Sequence, residues 1–101
     1  PKYNFITDRT AFDALPTDAK SLGTIGLFGS DHLEYEIDRL QMGNTEEERQ
    51  PALSEMADKA INILRSSVRS SNAHGFFLMI EGSRIDMAGH SNDPGGSIWF
   101  A

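Results

Sequence analysis

The clearest pattern in the chain is an apolar stripe between residues 51 and 66. Its apolar residues recur at the spacings i, i+3, i+4, i+7, i+8 and i+11, which predicts an amphipathic helix with one buried face. The residues of the stripe are Leu53, Met56, Ala57, Ala60, Ile61 and Leu64. Pro51 suits the first turn of this helix, and the later Arg65 and Arg69 suit its C-terminal end, where cations oppose the helix dipole. We therefore predict a helix over residues 51–66.

Three other stretches predict strands. Residues 3–7 (YNFIT) are β-branched or aromatic at several positions. Residues 22–29 (LGTIGLFG) and 76–80 (FFLMI) are apolar runs without alternation, which is typical of strands buried on both faces of a parallel sheet. Asp8 is a good N-cap for a short helix after the first strand. The order β-α-β-α-β predicts an α/β fold with a parallel-rich sheet and crossover connections.

Composition limits what such a chain can be. With 101 residues there is room for one modest core, which buries about 60–70% of the unfolded surface. The net charge of −6 argues against nucleic acid as a partner, since that needs a basic face. The apolar runs are too short to span a bilayer, and the absence of cysteine excludes thiolate metal sites. The chain opens on a strand-like PKYNFITDRT, so we expect it to be a piece of a longer protein.

The polar segment after the last apolar run holds the candidate chemistry. Glu81 follows residues 76–80 directly, and Asp86 and His90 come next, four residues apart. If residues 84–91 are helical, these two side chains project from one face and can hold the same ion. Ligands gather beyond the carboxyl ends of parallel strands, where Glu81 is expected to lie. Two interpretations stay open at this point: a zinc or magnesium site, or a charge pair on a solvated helix face.

Three segments carry a family resemblance. The segment GFFLMIEGSRIDMAGHSNDP (75–94) resembles the metal-site segment of alkaline phosphatases, and is most like the fungal members. GLFGSDHLEYEIDR (26–39) resembles the strand and loop that precede this segment in the family, and PALSEMADKAINIL (51–64) resembles the helix between them. The resemblance implies that residues 1–94 are part of an alkaline phosphatase α/β domain, from its central sheet. Residues 95–101 (GGSIWFA) would then be a tail that diverges from the family or is foreign to it.

The resemblance also implies roles for the candidate residues. Glu81 would be a magnesium ligand, and Asp86 and His90 would bind the first of two zinc ions. Members of the family hydrolyse phosphate monoesters through a phosphoserine intermediate. By the same resemblance we expect a homodimer, located in the vacuole, in the secretory pathway or outside the cell.

Two departures from the family pattern limit this expectation. The family's nucleophilic serine lies in an Asp-Ser-Ala context, which does not occur in this chain. Gly29 stands where animal members have an acidic residue at a peripheral calcium site, which puts that site in doubt. We therefore expect the chain to contribute part of the zinc and magnesium site and to be inactive alone. The alternatives are a non-catalytic module that binds a metal or a partner, or a truncated gene product.

Overall fold

The computed structural model describes residues 3–98, apart from the side chain of Glu46. Residues 99–101 of the predicted tail lie outside the described residues. In chain order the strands and helices are β1 (Asn4–Ile6), α1 (Arg9–Ala14), β2 (Thr24–Gly26), α2 (Glu36–Arg39), α3 (Leu53–Ser71), α4 (Ser83–His90) and α5 (Pro94–Ile98). Short 3₁₀ turns at Ala19–Ser21 and Glu46–Glu48 lie between them. Within residues 3–98, none of the helices combines the length and the hydropathy that a membrane-spanning segment needs.

Two short parallel strands form the sheet of the described chain. β1 pairs with β2 in the register Asn4↔Thr24, Phe5↔Ile25 and Ile6↔Gly26, and α1 lies between them in sequence. This parallel pairing across a helix agrees with the α/β class that the sequence predicts. The expected burial of residues 22–29 is wrong, because Leu22, Ile25 and Leu27 are all exposed. A two-stranded sheet has too few neighbouring elements to cover both of its faces.

The third predicted strand, over residues 76–80, is not found. This segment pairs with no strand among residues 3–98, and its apolar side chains are largely exposed, Phe77 by 89%. A strand exists only when a neighbouring strand accepts and donates its backbone hydrogen bonds. Within the described chain the only sheet contains β1 and β2, and residues 76–80 are not one of its strands. The β-α-β-α-β order is therefore not confirmed, and the described chain is largely helical.

The start of α1 follows the sequence prediction. Asp8 has an extended backbone, and its carboxylate accepts a hydrogen bond from the N–H of Ala11 at 2.8 Å. Such a cap satisfies one of the N–H groups that the first turn of a helix leaves without a partner. The helix then buries Phe12, whose ring meets Phe28 edge to face at a centroid distance of 5.6 Å.

Removal of the Asp8 cap should destabilise the protein measurably. The substitution Asp8→Ala is expected to lower the free energy of unfolding by about 1 kcal/mol, the usual cost of losing an N-cap side chain. Urea denaturation followed by circular dichroism measures this change. Asp8→Asn is the matched control, because its amide oxygen still accepts the hydrogen bond. An equal loss in both variants would contradict the capping role.

Helix α3 is the longest element and the one that the apolar stripe predicts. It begins at Leu53, two residues later than expected, and ends at Ser71, five residues later than expected. The later start has a local cause: Ala52 is extended, and the Glu55 carboxylate accepts a hydrogen bond from its N–H at 2.8 Å. Pro51 lies before the helix and is fully buried. Asn72 ends the helix in the left-handed conformation, with a φ of 53°.

Candidate functional site

Helix α4 places two of the three candidate residues side by side. It spans Ser83–His90, close to the predicted 84–91, and it has Asp86 and His90 one turn apart. The Oδ2 atom of Asp86 lies 3.5 Å from Nε2 of His90. Both side chains are about four-fifths exposed, at 80% and 82%. The pair is therefore open to solvent and to any ion or ligand that approaches this face.

Glu81 lies apart from this pair. It is exposed, on the non-helical segment just before α4, and it contributes to the lining of a cleft of about 550 Å³. Asp86 and His90 do not line that cleft. Among residues 3–98, no group of three or more histidine or acidic side chains is arranged to hold a metal ion. The structure thus brings Asp86 and His90 together and leaves Glu81 facing a different space.

The donor atoms of Asp86 and His90 fit half of a zinc site. Two ligand atoms that each bind one tetrahedral zinc ion at about 2.1 Å lie roughly 3.4 Å from each other. The observed separation of 3.5 Å is close to this value, and an imidazole nitrogen with a carboxylate oxygen is a common zinc donor set. Zinc sites take four ligands, of which this pair would supply two. The pair fits the metal, and further ligands are needed to complete the site.

The same geometry also suits a plain surface ion pair. Exposed pairs of opposite charge at i, i+4 on a helix contribute only about 0.3–0.5 kcal/mol. Nothing in the contacts of Asp86 and His90 separates this interpretation from the metal site. The geometry of the pair therefore fits both interpretations that its spacing predicts.

Arg84 is a residue of this region whose contacts the sequence did not indicate. Its Nε donates a hydrogen bond to the carbonyl of Leu33, and its guanidinium lies 4.4 Å from the centre of the Tyr35 ring. About 50 residues of chain separate the partners, so no local pattern predicts this contact.

Comparison with known proteins places the chain in a family. The family model described as alkaline phosphatase matches residues 1–99. An alkaline phosphatase of Schizosaccharomyces pombe is 44% identical over 92 residues, which is 91% of this chain and 16% of that protein. The repressible alkaline phosphatase of Saccharomyces cerevisiae is 37% identical over 100 residues, which is 95% of this chain and 17% of that protein.

A human relative agrees with the two fungal ones. The tissue-nonspecific isozyme of alkaline phosphatase from Homo sapiens is 37% identical over 94 residues, 89% of this chain and 16% of that protein. No match was found among solved structures. The chain spans 16–17% of the length of these curated relatives. Because the family model covers all but the last two residues, the chain belongs to the alkaline phosphatase family.

Proposed function

We propose that this chain is part of an enzyme that hydrolyses phosphate monoesters, and that it supplies three of the enzyme's metal ligands. The observation that carries the proposal is the approach of Asp86 and His90 to 3.5 Å on one face of α4, in a chain of the alkaline phosphatase family. The activity is proposed for the whole protein, since the chain spans only 16–17% of its curated relatives.

Each proposed ligand has a role that its chemistry suits. Asp86 and His90 together hold the first of two zinc ions, with His90 giving a nitrogen and Asp86 an oxygen. The bound ions would supply electrostatic stabilisation of the phosphoryl group during its transfer. The chain's own contribution is positional: α4 holds the two donor atoms one turn apart and exposed, where a phosphate ester can reach them.

Glu81 is proposed to serve a different ion. Its separation from the Asp86–His90 pair supports this, because a single closed site would need all three side chains together. Magnesium keeps several bound waters and is often held by only one or two carboxylates. Glu81 lines a cleft apart from the Asp86–His90 pair, and a carboxylate with room for bound water beside it suits that coordination better than it suits zinc.

The remaining expectations at the level of the whole protein also stay proposals. We expect the whole protein to form a homodimer and to act on a phosphate monoester. We expect it to be located in the vacuole, in the secretory pathway or outside the cell. The division of the chain into a partial phosphatase domain over residues 1–94 and a divergent or foreign tail over residues 95–101 is likewise a proposal.

One observation favours a second function, a non-catalytic module that binds a partner. Phe77 and Met79 are exposed by 89% and 78%, and apolar side chains in that state favour association. Size-exclusion chromatography of the chain at several concentrations tests this idea. A monomer at every concentration would speak against association through residues 76–80.

The catalytic proposal predicts different results for the chain alone and for the whole protein. The isolated chain Pro1–Ala101 should show little or no turnover of a chromogenic phosphate ester in zinc and magnesium, because it has no Asp-Ser-Ala nucleophile. The whole protein should hydrolyse the ester and lose this activity when a chelator removes the metals. Robust metal-dependent turnover by the isolated chain would contradict the partial-site view. An inactive whole protein with metals present would contradict the proposed function itself.

A further inference from the structure

Arg84 connects α4 to a segment that lies far away in sequence. Its Nε donates to the carbonyl of Leu33, and its guanidinium lies 4.4 Å from the centre of the Tyr35 ring, a distance at which a cation is attracted to the ring face. Its Nη1 also lies 3.7 Å from the sulfur of Met87, within the same helix. The guanidinium is therefore held on more than one side, and it lies in partly buried surroundings.

The segment that receives Arg84 is itself anchored. The N–H of Glu34 donates to the side-chain oxygen of Gln50 at 3.1 Å, and the carbonyl of Gln50 accepts from Nη1 of Arg39 at 3.2 Å. Arg39 is 7% exposed, and Glu36 holds its guanidinium by two hydrogen bonds, of 2.7 and 2.8 Å. Residues 33–35 are thus tied to α2 and to the chain just before α3, and they offer α4 a fixed support.

Arg84 and the two candidate ligands lie on different faces of α4, so the contact that holds one face also sets the direction of the other. At 3.6 residues per turn, Asp86 and His90 lie roughly 200–240° around the helix from Arg84. The Arg84 face meets residues 33–35, and the ligand face points to solvent. A helix of eight residues has little stability of its own, so the contacts of its inner face set its rotation.

We propose that Arg84 is a positioning residue for the metal-ligand face of α4. Its hydrogen bond to Leu33 and its cation–π contact with Tyr35 fix the rotation of the helix and so aim Asp86 and His90 at the ion that they share. This inference rests on the proposed function, because it takes the Asp86–His90 pair as zinc ligands. Arginine suits the role because its planar guanidinium donates and stacks at once, which the ammonium group of lysine does not do.

Metal binding by variants of the whole protein tests the proposal. Zn²⁺ affinity is measured by calorimetric titration, and Co²⁺ is used as a second probe because its visible absorption reports coordination geometry. Arg84→Ala should weaken Zn²⁺ binding about tenfold, as the loss of groups that orient metal ligands typically does, and should change the Co²⁺ spectrum. Arg84→Lys should restore part of the affinity, because it can still donate to Leu33.

Tyr35 variants test the same contact from the other side. Tyr35→Ala removes the ring and should weaken Zn²⁺ binding, whereas Tyr35→Phe keeps the ring face and should bind as the unchanged chain does. These variants decide the question even if Arg84→Ala fails to fold. Arg65→Ala is the matched control, because Arg65 is an exposed arginine on α3. Its Zn²⁺ affinity should be unchanged.

The possible failures are distinguishable. If Arg84→Ala and Tyr35→Ala keep full Zn²⁺ affinity and an unchanged Co²⁺ spectrum while Asp86→Ala loses binding, the positioning role is overturned and the proposed function stands. If Asp86→Ala and His90→Ala also bind Zn²⁺ as before, the zinc assignment is overturned, and the positioning role with it.

Discussion

Replacement of Asp86 or His90 by alanine is expected to lower the Zn²⁺ affinity of the protein more than about 100-fold. Loss of the groups that merely orient metal ligands typically costs about 10–100-fold, and removal of a ligand itself should cost more. Each substitution leaves the other residue of the pair as a single donor on α4, in place of two donors 3.5 Å apart. Calorimetric titration with Zn²⁺ measures the change.

The chain offers a matched control for this experiment. Asp58 lies on α3 with Asn62 four residues later, and the Nδ2 group of Asn62 donates to an Asp58 carboxylate oxygen at 3.2 Å. The spacing is that of the Asp86–His90 pair, but an amide replaces the imidazole. Asp58→Ala should leave Zn²⁺ binding unchanged. Equal Zn²⁺ affinity in Asp86→Ala, His90→Ala and Asp58→Ala would favour the surface ion pair over the metal site.

Glu81→Gln separates the two proposed ions. Because Glu81 lies outside the Asp86–His90 pair, its loss should reduce Mg²⁺ binding and affect Zn²⁺ binding much less. A loss of Zn²⁺ affinity as large as that of Asp86→Ala would mean that Glu81 joins the zinc site.

The largest stability effect is expected from Phe12→Ala, which should lower the free energy of unfolding by about 3–5 kcal/mol. The Phe12 ring is 5% exposed and meets Phe28 edge to face. Its truncation would remove this packing and leave a cavity between α1 and α3. Urea denaturation of the two proteins gives the difference.

Charged groups around Phe12 add to the cost of losing it. The ammonium of Lys59 lies 4.3 Å from the ring centre and donates to the carbonyls of Phe12 and Leu15 at the end of α1. Arg9 lies 5.8 Å from the ring centre, and hydrogen bonds with Asp13 and then with Glu55 raise the pKa of its guanidinium above its ordinary value. The ring thus packs beneath cations that join α1 to α3.

Phe77→Ala is the control for this prediction. It is the same substitution at a side chain that is 89% exposed, so the expected change in unfolding free energy is within about 0.5 kcal/mol. Comparable losses in the two variants would show that residues 76–80 are buried in solution, as they would be in an association of two chains.

Local signals predicted the elements whose contacts are local. Asp8 caps α1 because its carboxylate reaches an N–H three residues later. The apolar stripe of residues 51–66 predicted α3, and the i, i+4 spacing of Asp86 and His90 predicted their approach on α4. Helical hydrogen bonds and neighbouring side chains lie within a few residues of each other, so residue order alone determines them.

Tertiary structure decided what depends on distant partners. Residues 76–80 have the composition of a buried strand, yet they pair with no strand in the part of the chain that the structure describes. Glu81 follows them in sequence toward Asp86 and His90, but it faces the cleft instead. Arg84 contacts Leu33 and Tyr35, which lie about 50 residues away in sequence. The sequence by itself determined the Asp8 cap of α1, the helix α3 and the approach of Asp86 to His90 on α4, because those interactions close over one turn. Strand pairing, side-chain burial and the orientation of α4 depend on the tertiary structure. The segments involved are far apart in sequence, and they come into contact only when the chain folds.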